Sequence, residues 1–323
     1  MTINFIANYK SGYVGEVGDA VHLAREMEAL GHTVRRIPQD EWREYVIEGF
    51  PKGKYPNIPN KLVADINIIC KWPHFYDGSF IEKLRNLSLA PVFYWTWDYM
   101  QGEDWHIAAI HAANLYLGND VRTGLYGSMS KIYYFPFDVA DGLIPRFDNT
   151  EKTIDVAFFG SWIGQGDRQE WLTEINKTNP VTVFSWNYKD WPSEFNANPP
   201  VYGQKFACKV AESKVILGFS VEPNCWGYWS NRVGKILTQG GFLLYQYAPG
   251  MELFLGDAVE YFSSVDEARE KIDHYLVANE EREKIARRGF ALGQYKFTSQ
   301  ARVKELMILV EWYLKTKGDE WKI

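Results

Sequence analysis

Short apolar runs alternate with longer amphipathic stretches along most of this chain. Near the N-terminus, Ile3–Asn8 predicts a strand, and residues 19–30 predict a helix with its apolar side chains on one side. Further along, Asp155–Phe159, Val181–Trp186 and Val215–Val221 predict strands separated by helical patterns, and three helices are predicted near the C-terminus. Strands that alternate with helices form parallel sheets, so the pattern predicts an α/β protein.

Length and composition restrict this prediction. The 323 residues are enough for two domains, and Asp138–Thr153, rich in Asp, Gly, Pro and Asn, is the predicted linker. The net charge of −6 argues against a broad basic face for duplex binding, although it leaves a local basic groove open. Three widely spaced cysteines fit neither a disulfide framework nor a zinc site. The N-terminus turns polar early and no apolar run is long enough for a membrane, so we expect a cytoplasmic protein.

The segment Ser230–Gly250 is the most informative part of the sequence. Ser230 and Asn231 are both preferred at helix N-caps, and Gly240–Gly241 predicts the end of that helix. Arg232 falls in the first turn, beside unpaired backbone N–H groups and the positive end of the helix dipole. These groups together suit an anion such as a phosphate, whereas the alternative is an ordinary αβ unit with a good cap.

Other polar residues follow strands in the second half of the chain, where ligands of parallel sheets bind. Arg168 begins another predicted helix and can join Arg232 in holding a diphosphate, although for Arg168 alone a surface role is the more usual explanation. Lys235, one turn after the cap, can add charge to a phosphate or simply solvate the helix flank. The predicted loop before this helix holds the best candidates for stacking on a sugar or base, Trp226, Tyr228 and Trp229. Gly160, Ser161 and Glu222 also follow predicted strands.

The first half of the chain offers candidates for acid–base chemistry. Asp98 directly follows the β-prone run PVFYWTW and lies between Trp97 and Tyr99, where it can accept a proton from an acceptor hydroxyl. A turn or capping role is the alternative. Asp19 begins the first predicted helix, where an N-cap role alone can explain it, and His22 lies one turn further.

A glycine-containing loop precedes that helix. Its sequence, SGYVGEVG, places Gly15 and Gly18 in a predicted acceptor loop that permits close approach of a ligand. The spacing is not GxGxxG, and Arg35 and Arg36 stand where a dinucleotide-binding acidic residue is expected. There is no Walker A motif, no GxSxG and no usual zinc spacing, so no catalytic metal is predicted.

Several stretches of the C-terminal half match a known family in residues, order and spacing. They are DVAFFGSWIGQGDR, VYGQKFACKVAESKVILGFSV, WSNRVGKILTQGGFLLYQYAPGMELFL and VEYFSSVDEAREKIDHYLVANEEREKIARRG. Through them, roughly residues 154–304 resemble the CgeB-like (spore-maturation type) group of glycosyltransferases, which have the GT-B fold. Residues 1–140 match only in pattern.

The resemblance implies two Rossmann-like domains that face an interdomain cleft. Residues 1–140 would bind the acceptor, residues 141–300 would bind the nucleotide-sugar donor, and a C-terminal helix, 301–323, would cross back to the first domain. It also implies metal-independent transfer without a cofactor, with a UDP-sugar favoured as donor. The residues that it places around the donor diphosphate are Gly160, Arg168, Ser230, Asn231, Arg232 and Gly241.

Several questions stay open at this stage. If the transfer inverts the anomeric centre, Asp98 is the predicted base, whereas if it retains the anomeric configuration, Asp98 only positions the acceptor. Related sequences often have Glu where this chain has Lys235, and a lysine cannot accept hydrogen bonds from ribose hydroxyls, so Glu222 would have to substitute or the donor is held differently. The acceptor is either a cell-surface or small-molecule hydroxyl, or a hydroxymethylated base in DNA. The DNA case would need a basic strip formed by Lys52, Lys54, Lys61, Lys71 and Arg85. The alternative to an enzyme is a non-catalytic sugar-nucleotide binding or scaffold protein.

Overall fold

The computed structural model describes residues 1–9, 14–50, 53–59, 61–70, 78–96, 104–118, 132–135, 150–162 and 167–316, with only the backbone for 14–18 and 104–106. The chain divides into two compact units. Unit 1 comprises Met1–Phe137 and Arg302–Ile323, and unit 2 comprises Asp138–Ala301.

Unit 1 contains a parallel sheet of six strands. In chain order they are β1 (Thr2–Ala7), β2 (Thr33–Pro38), β3 (Ile66–Cys70), β4 (Val92–Trp95), β5 (Leu115–Gly118) and β6 (Ile132–Tyr134). Their order across the sheet is β2-β1-β3-β4-β5-β6. The helices are α1 (Val14–Ala29), α2 (Gln39–Ile47), α3 (Gly78–Ser88) and α4 (Asp104–Ala112).

Unit 2 repeats this plan with a second parallel sheet. Its strands are β7 (Ile154–Phe159), β8 (Val181–Phe184), β9 (Asn196–Asn198), β10 (Ser213–Gly218), β11 (Leu243–Gln246) and β12 (Glu260–Phe262), in the order β12-β11-β10-β7-β8-β9. The helices are α5 (Arg168–Asn176), α6 (Gly203–Glu212), α7 (Arg232–Thr238), α8 (Met251–Leu255), α9 (Val265–Val277) and α10 (Asn279–Lys296). A last helix, α11 (Ser299–Thr316), carries the chain from unit 2 back into unit 1. The predicted α/β fold with two parallel sheets is confirmed.

Helix α1 begins earlier than the sequence predicts. It starts at Val14, so Gly15 and Gly18 lie inside the helix and the expectation of a loop there is wrong. Asp19 lies in the second turn and therefore cannot be the N-cap. A glycine inside a helix costs about 1 kcal/mol, and the packing of an apolar face overrides such a cost. That face is formed by the buried side chains of Ala20, Leu23, Ala24 and Met27.

Helices α10 and α7 approach each other unusually closely in unit 2. A Cβ atom on Gly293 would lie 2.8 Å from the backbone N of Thr238 and 3.0 Å from the carbonyl carbon of Leu237. A Cβ on Gly289 would lie 2.8 Å from the backbone oxygen of Ala258. The side-chain amide of Gln294 donates to the backbone oxygen of Thr238 at 3.2 Å and so satisfies a carbonyl at the end of α7. The glycines thus allow α10 to fix the position of α7.

Replacing Gly293 with alanine tests this close contact. Alanine favours a helix by about 1 kcal/mol over glycine, so without the contact Gly293→Ala would stabilise the protein. We expect instead a loss of about 1–3 kcal/mol, because the methyl group must displace backbone atoms of α7. The measurements are urea unfolding and hydrogen exchange of the α7 amides. The control is Ala291→Gly, at an exposed position of α10, which measures helix propensity alone. If Gly293→Ala stabilised the protein, the close contact between Gly293 and α7 would be contradicted.

Candidate active site

The predicted polar residues of unit 2 gather at the carboxyl ends of its strands. Gly160 and Ser161 directly follow β7, and Glu222 lies in the loop after β10. Helix α5 begins at Arg168 and helix α7 begins at Arg232, so both arginines stand at the same edge of the parallel sheet. This edge is where open parallel sheets bind their ligands.

Two arginine side chains lie near each other at this edge. Arg168 is only 3% exposed, and its pKa falls to about 10, mainly because burial disfavours the charged form. The positive charge of Arg232 lowers the pKa of Arg168 further. Arg232 is half-buried, and burial lowers its pKa as well. Two cations held together away from water are costly, and a doubly charged anion such as a diphosphate would offset that cost.

Two tyrosines complete the cluster; sequence reasoning missed Tyr245 and placed Tyr228 only in a stacking group. Tyr245 lies on β11, and Tyr228 lies in the loop before α7. Their hydroxyls raise the pKa values of both arginines, whereas burial lowers them. The hydroxyl of Tyr245 also accepts a hydrogen bond of 3.1 Å from the backbone N–H of Ser230. Both tyrosines are buried, so they form the wall of this cluster.

A glycine in the neighbouring strand makes room for Tyr245. Gly218 pairs with Tyr245 in the register of β10 and β11, and a Cβ atom there would overlap the Tyr245 ring. A glycine inside an apolar strand marks a close approach. That signal was present in the sequence, at the end of the run SKVILG, and it points to this tyrosine once the register is known.

The start of α7 differs in detail from the predicted cap. Asn231 occupies the N-cap position but has helical dihedrals (φ −58°, ψ −11°) and makes no capping hydrogen bond with its side chain. Ser230 performs part of that role, since its Oγ accepts from the backbone N–H of Arg232 at 3.4 Å. The amides of Ser230 and Arg232 therefore already have acceptors. These two amides are therefore less available to an anion than the sequence predicts.

Several exposed aromatic residues also lie at this edge, and we call them the rim. Trp226 is 41% exposed; its indole packs on Gly250, which has a positive φ of 86°, and on Phe254 at 5.8 Å between ring centroids. Three further exposed aromatic side chains follow the ends of other strands: Trp186 after β8, Tyr202 after β9 and Tyr247 after β11. Exposed aromatic rings placed this way are suited to stacking on a base or sugar.

The remaining donor-side candidates divide into two groups. Ser161 is buried beside β7. Glu222, in the loop before α7, and Lys235, in the second turn of α7, are both half-buried. Gly160 and Gly241 are explained by packing. A Cβ on Gly160 would lie 2.6 Å from the Phe158 ring, and one on Gly241 would lie 2.8 Å from Ile216, Ile236 and Val210. Gly241 also precedes β11, at the other end of α7 from Arg232, and this position separates it from the cluster.

The candidates of the first half are only partly described by the structure. Asp98, Trp97 and Tyr99 lie outside the described residues. Asp19 is 3% exposed and His22 is half-buried, one turn apart on α1. Within the described ranges, no three His, Cys, Asp or Glu side chains are grouped to hold a metal ion. None of the helices in the described part of the chain combines the length and apolarity needed to cross a membrane.

A double-mutant cycle tests the Gly218–Tyr245 contact. Gly218→Ala alone should cost about 1–3 kcal/mol of unfolding free energy, because the added methyl group displaces the Tyr245 ring. In a Tyr245→Ala background the same substitution should cost at least about 1 kcal/mol less, since its main obstacle is gone. Urea denaturation of the four proteins gives the coupling energy. An additive result would show that Tyr245 is not what requires the glycine.

Comparison with known proteins agrees with this geometry. Residues 165–308, a little under half of the chain, match the family model described as glycosyl transferase-like. No curated protein matches the sequence. Sucrose-phosphate synthase from Thermosynechococcus elongatus superposes with a TM-score of 0.67 at 10% identity, covering 98% of this chain and 100% of that one.

Two further solved structures are similar and carry ligands. Anabaena HepE in complex with UDP-glucose has a TM-score of 0.68 at 10% identity, covering 97% of this chain and 100% of that one. An alpha-glucosyltransferase in complex with UDP and a 13-mer DNA has a TM-score of 0.62 at 10% identity, covering 96% and 99%. At such identity these likenesses establish the fold, and the family model adds the domain type. The protein therefore has the GT-B fold, carries a glycosyltransferase-like domain at residues 165–308, and is an enzyme of the glycosyltransferase class.

Proposed function

We propose that this protein transfers a sugar from a nucleotide-sugar, with UDP-sugar the favoured donor, to an acceptor hydroxyl. The observation that carries the proposal is the pair of neighbouring arginines, Arg168 and Arg232, at the ligand-binding edge of unit 2. A guanidinium binds phosphate oxygens through two parallel hydrogen bonds and keeps its charge even when its pKa is lowered to about 10. The pair therefore matches the two phosphates of a nucleoside diphosphate.

The same pair would promote bond breaking. When the glycosidic bond to the donor phosphate breaks, the leaving nucleoside diphosphate gains negative charge. Cations already fixed in a poorly solvated site stabilise that charge without reorganising solvent. Arg168 is fixed by burial, and Arg232 is fixed at the start of α7, whose position depends on α10. This chemistry needs no group beyond the arginines at the leaving phosphate, although metal independence itself stays a prediction.

The rest of the donor would be held by neighbouring side chains. Glu222 is a carboxylate at this edge that can accept hydrogen bonds from ribose hydroxyls, which Lys235 cannot do. Lys235 would instead add positive charge beside the diphosphate. Trp226 and the other rim aromatics would stack on the base or the sugar. The choice of UDP is supported by HepE, which was solved with UDP and with UDP-glucose, and by the alpha-glucosyltransferase solved with UDP.

The acceptor remains one of two classes in this proposal. A hydroxymethylated base in DNA is supported by the similar alpha-glucosyltransferase, which was solved with DNA containing a HMU base. The basic strip that DNA binding would need is partly engaged elsewhere, because Lys54 pairs with Glu48 and Arg85 donates to the backbone oxygen of Ala112. Lys52 and Lys71 lie outside the described residues. A small-molecule or cell-surface hydroxyl is therefore kept beside DNA, and membership of the CgeB-like group is part of the proposal.

Substitution of the two arginines tests the donor site. Arg232→Ala and Arg168→Ala should each weaken UDP binding about tenfold to a hundredfold, since a hydrogen bond between charged groups contributes ~1.5–3 kcal/mol. The UDP affinity of Arg232→Lys should lie between that of the alanine variants and that of the wild type, because lysine keeps the charge but loses the paired hydrogen bonds. Calorimetric titration with UDP, GDP and dTDP gives the affinities and the nucleotide preference.

The matched control is Arg288→Ala, which removes an arginine of α10 that pairs with Asp257 at 3.1 Å, away from the sheet edge. It should bind UDP as the wild type does. Unchanged UDP affinity in both Arg168→Ala and Arg232→Ala would disprove the donor site. If a UDP-sugar binds but is never consumed with either acceptor class, the non-catalytic binding protein becomes the better interpretation.

The predicted base is tested by its own substitution. Asp98→Asn should lower kcat about a hundredfold or more while leaving UDP affinity unchanged, because a positioned general base contributes about 10²–10⁴ to the rate. Asp19→Asn and His22→Gln are the comparison variants, since both residues were predicted beside Asp98 as candidates for acid–base chemistry. Turnover of UDP-glucose, with either acceptor or by hydrolysis, is the measurement. If Asp98→Asn keeps the wild-type kcat, Asp98 is not the base. The better candidate is then the residue, Asp19 or His22, whose variant has a lower kcat.

A further inference from the structure

A small crevice lies in unit 2 at the edge of the sheet opposite the arginine cluster. It is formed by residues just before β7, the beginning of β10, the turn before β11 and the first turns of α10. Its volume is about 40 Å³, which is room for about three water molecules or one compact ion. The polar side chains that line it are Thr150, Lys152, Lys214, Arg282, Glu283 and Arg287.

Positive charge dominates this crevice. Four of its side chains are cationic and one, Glu283, is anionic; Asp155 also pairs with Lys214 at 2.6 Å. Three of the four cations are held by protein acceptors, whereas Arg287 is exposed. The Nζ of Lys152 donates to the backbone oxygen of Ser213 at 3.0 Å, and Arg282, only 4% exposed, donates to Asn279 at 2.7 Å and to the backbone of Tyr275. An excess of about two positive charges therefore surrounds this small space.

The titration behaviour of these groups agrees with the geometry. Burial lowers the pKa of Lys152, and the neighbouring Arg282 cation lowers it further, while Glu283 acts in the opposite direction. Burial lowers the pKa of Arg282 as well. The electrostatic cost of grouping these cations falls when an anion enters the crevice.

We propose that this crevice binds a single phosphate group, either as inorganic phosphate or as the phosphoryl end of a small phosphomonoester. A tetrahedral oxyanion fits the volume and can receive hydrogen bonds from Lys152, Arg287 and the hydroxyl of Thr150. A nucleotide does not fit a volume of about 40 Å³, so the site differs in ligand from the donor site. It differs in place too: β7 has six residues, which separates the two edges of the sheet by about 20 Å.

Phosphate binding at this place would stabilise the first turns of α10. Arg282 and Arg287 are both on that helix, whereas Lys152 lies just before β7 and Lys214 is on β10, so the anion would link the helix to this end of the sheet. The effect is therefore measurable as stabilisation of the folded protein, without reference to transferase activity.

The experiment measures binding of inorganic phosphate to the full chain, by calorimetry and by the rise in melting temperature, at constant ionic strength set with chloride. We expect Lys152→Met and Arg287→Gln each to weaken phosphate binding about tenfold or more, because each removes a charged donor. Lys284→Gln removes the same charge from an exposed position of α10 that does not line the crevice and should leave the affinity unchanged. Arg232→Ala should also leave it unchanged, as should saturating UDP.

Each outcome decides for or against the site. The site is supported if Lys152→Met and Arg287→Gln lose phosphate binding while Lys284→Gln and Arg232→Ala keep it. Because Arg287 is exposed, Arg287→Gln keeps the test valid even if Lys152→Met does not fold. Phosphate binding that is abolished by UDP or by Arg232→Ala assigns the ion to the donor edge and overturns the proposal. The absence of any phosphate binding, or an equal response to chloride, also overturns it. Parallel titrations with glycerol 3-phosphate distinguish the sources: similar affinity indicates recognition of the phosphoryl group, and binding of phosphate alone indicates the free ion.

Discussion

The contact between α10 and α7 is the constraint on which the donor edge of this protein depends. Helix α7 has seven residues, which is too short to be stable in isolation, so its position comes from tertiary packing. Gly293 lets α10 approach within contact of the α7 backbone, Gly289 lets it pack on the Leu237 side chain, and Gln294 donates to the carbonyl of Thr238 at the end of α7. At the other end of α7, the Tyr245 hydroxyl holds the Ser230 amide. Arg232 is thus carried by a helix that is fixed at both ends.

This fixed geometry is what makes the charge arrangement possible. Holding Arg168 beside Arg232 in a poorly solvated place costs free energy, and the surrounding core compensates for it. Core packing in unit 2 is strongly aromatic, with Phe158, Phe219 and Phe262 in edge-to-face contact beneath the site. A rigid base of this kind keeps two like charges at a set separation. Such preorganised charges, rather than any single hydrogen bond, would stabilise the leaving diphosphate.

The sequence predicted the fold more completely than the site. Strand and helix periods are local properties, and they were sufficient for two parallel sheets. The start of α1 was missed because the buried face of that helix overrides two glycines, which no local propensity shows. The arginines were predicted because they stand at helix starts. Tyr245 was missed because its role depends on the register of β10 with β11. Tyr228 was predicted to stack on a ligand but is buried beside the arginines, and Gly241 was assigned to the ligand although its neighbours are Ile216 and Val210.

The return of α11 to unit 1 has a consequence for the order of events during synthesis. Arg302 contacts the Phe135 ring at 4.7 Å, and Tyr313 contacts the Phe93 ring at 5.1 Å, so residues from near the end of the chain complete the first unit. Unit 2 is continuous in sequence, whereas unit 1 is interrupted by it. Domains fold as units while the ribosome elongates the chain. The unit translated first therefore completes its folding only after α11 has been translated, and the apolar surface that α11 covers must stay protected from aggregation until then.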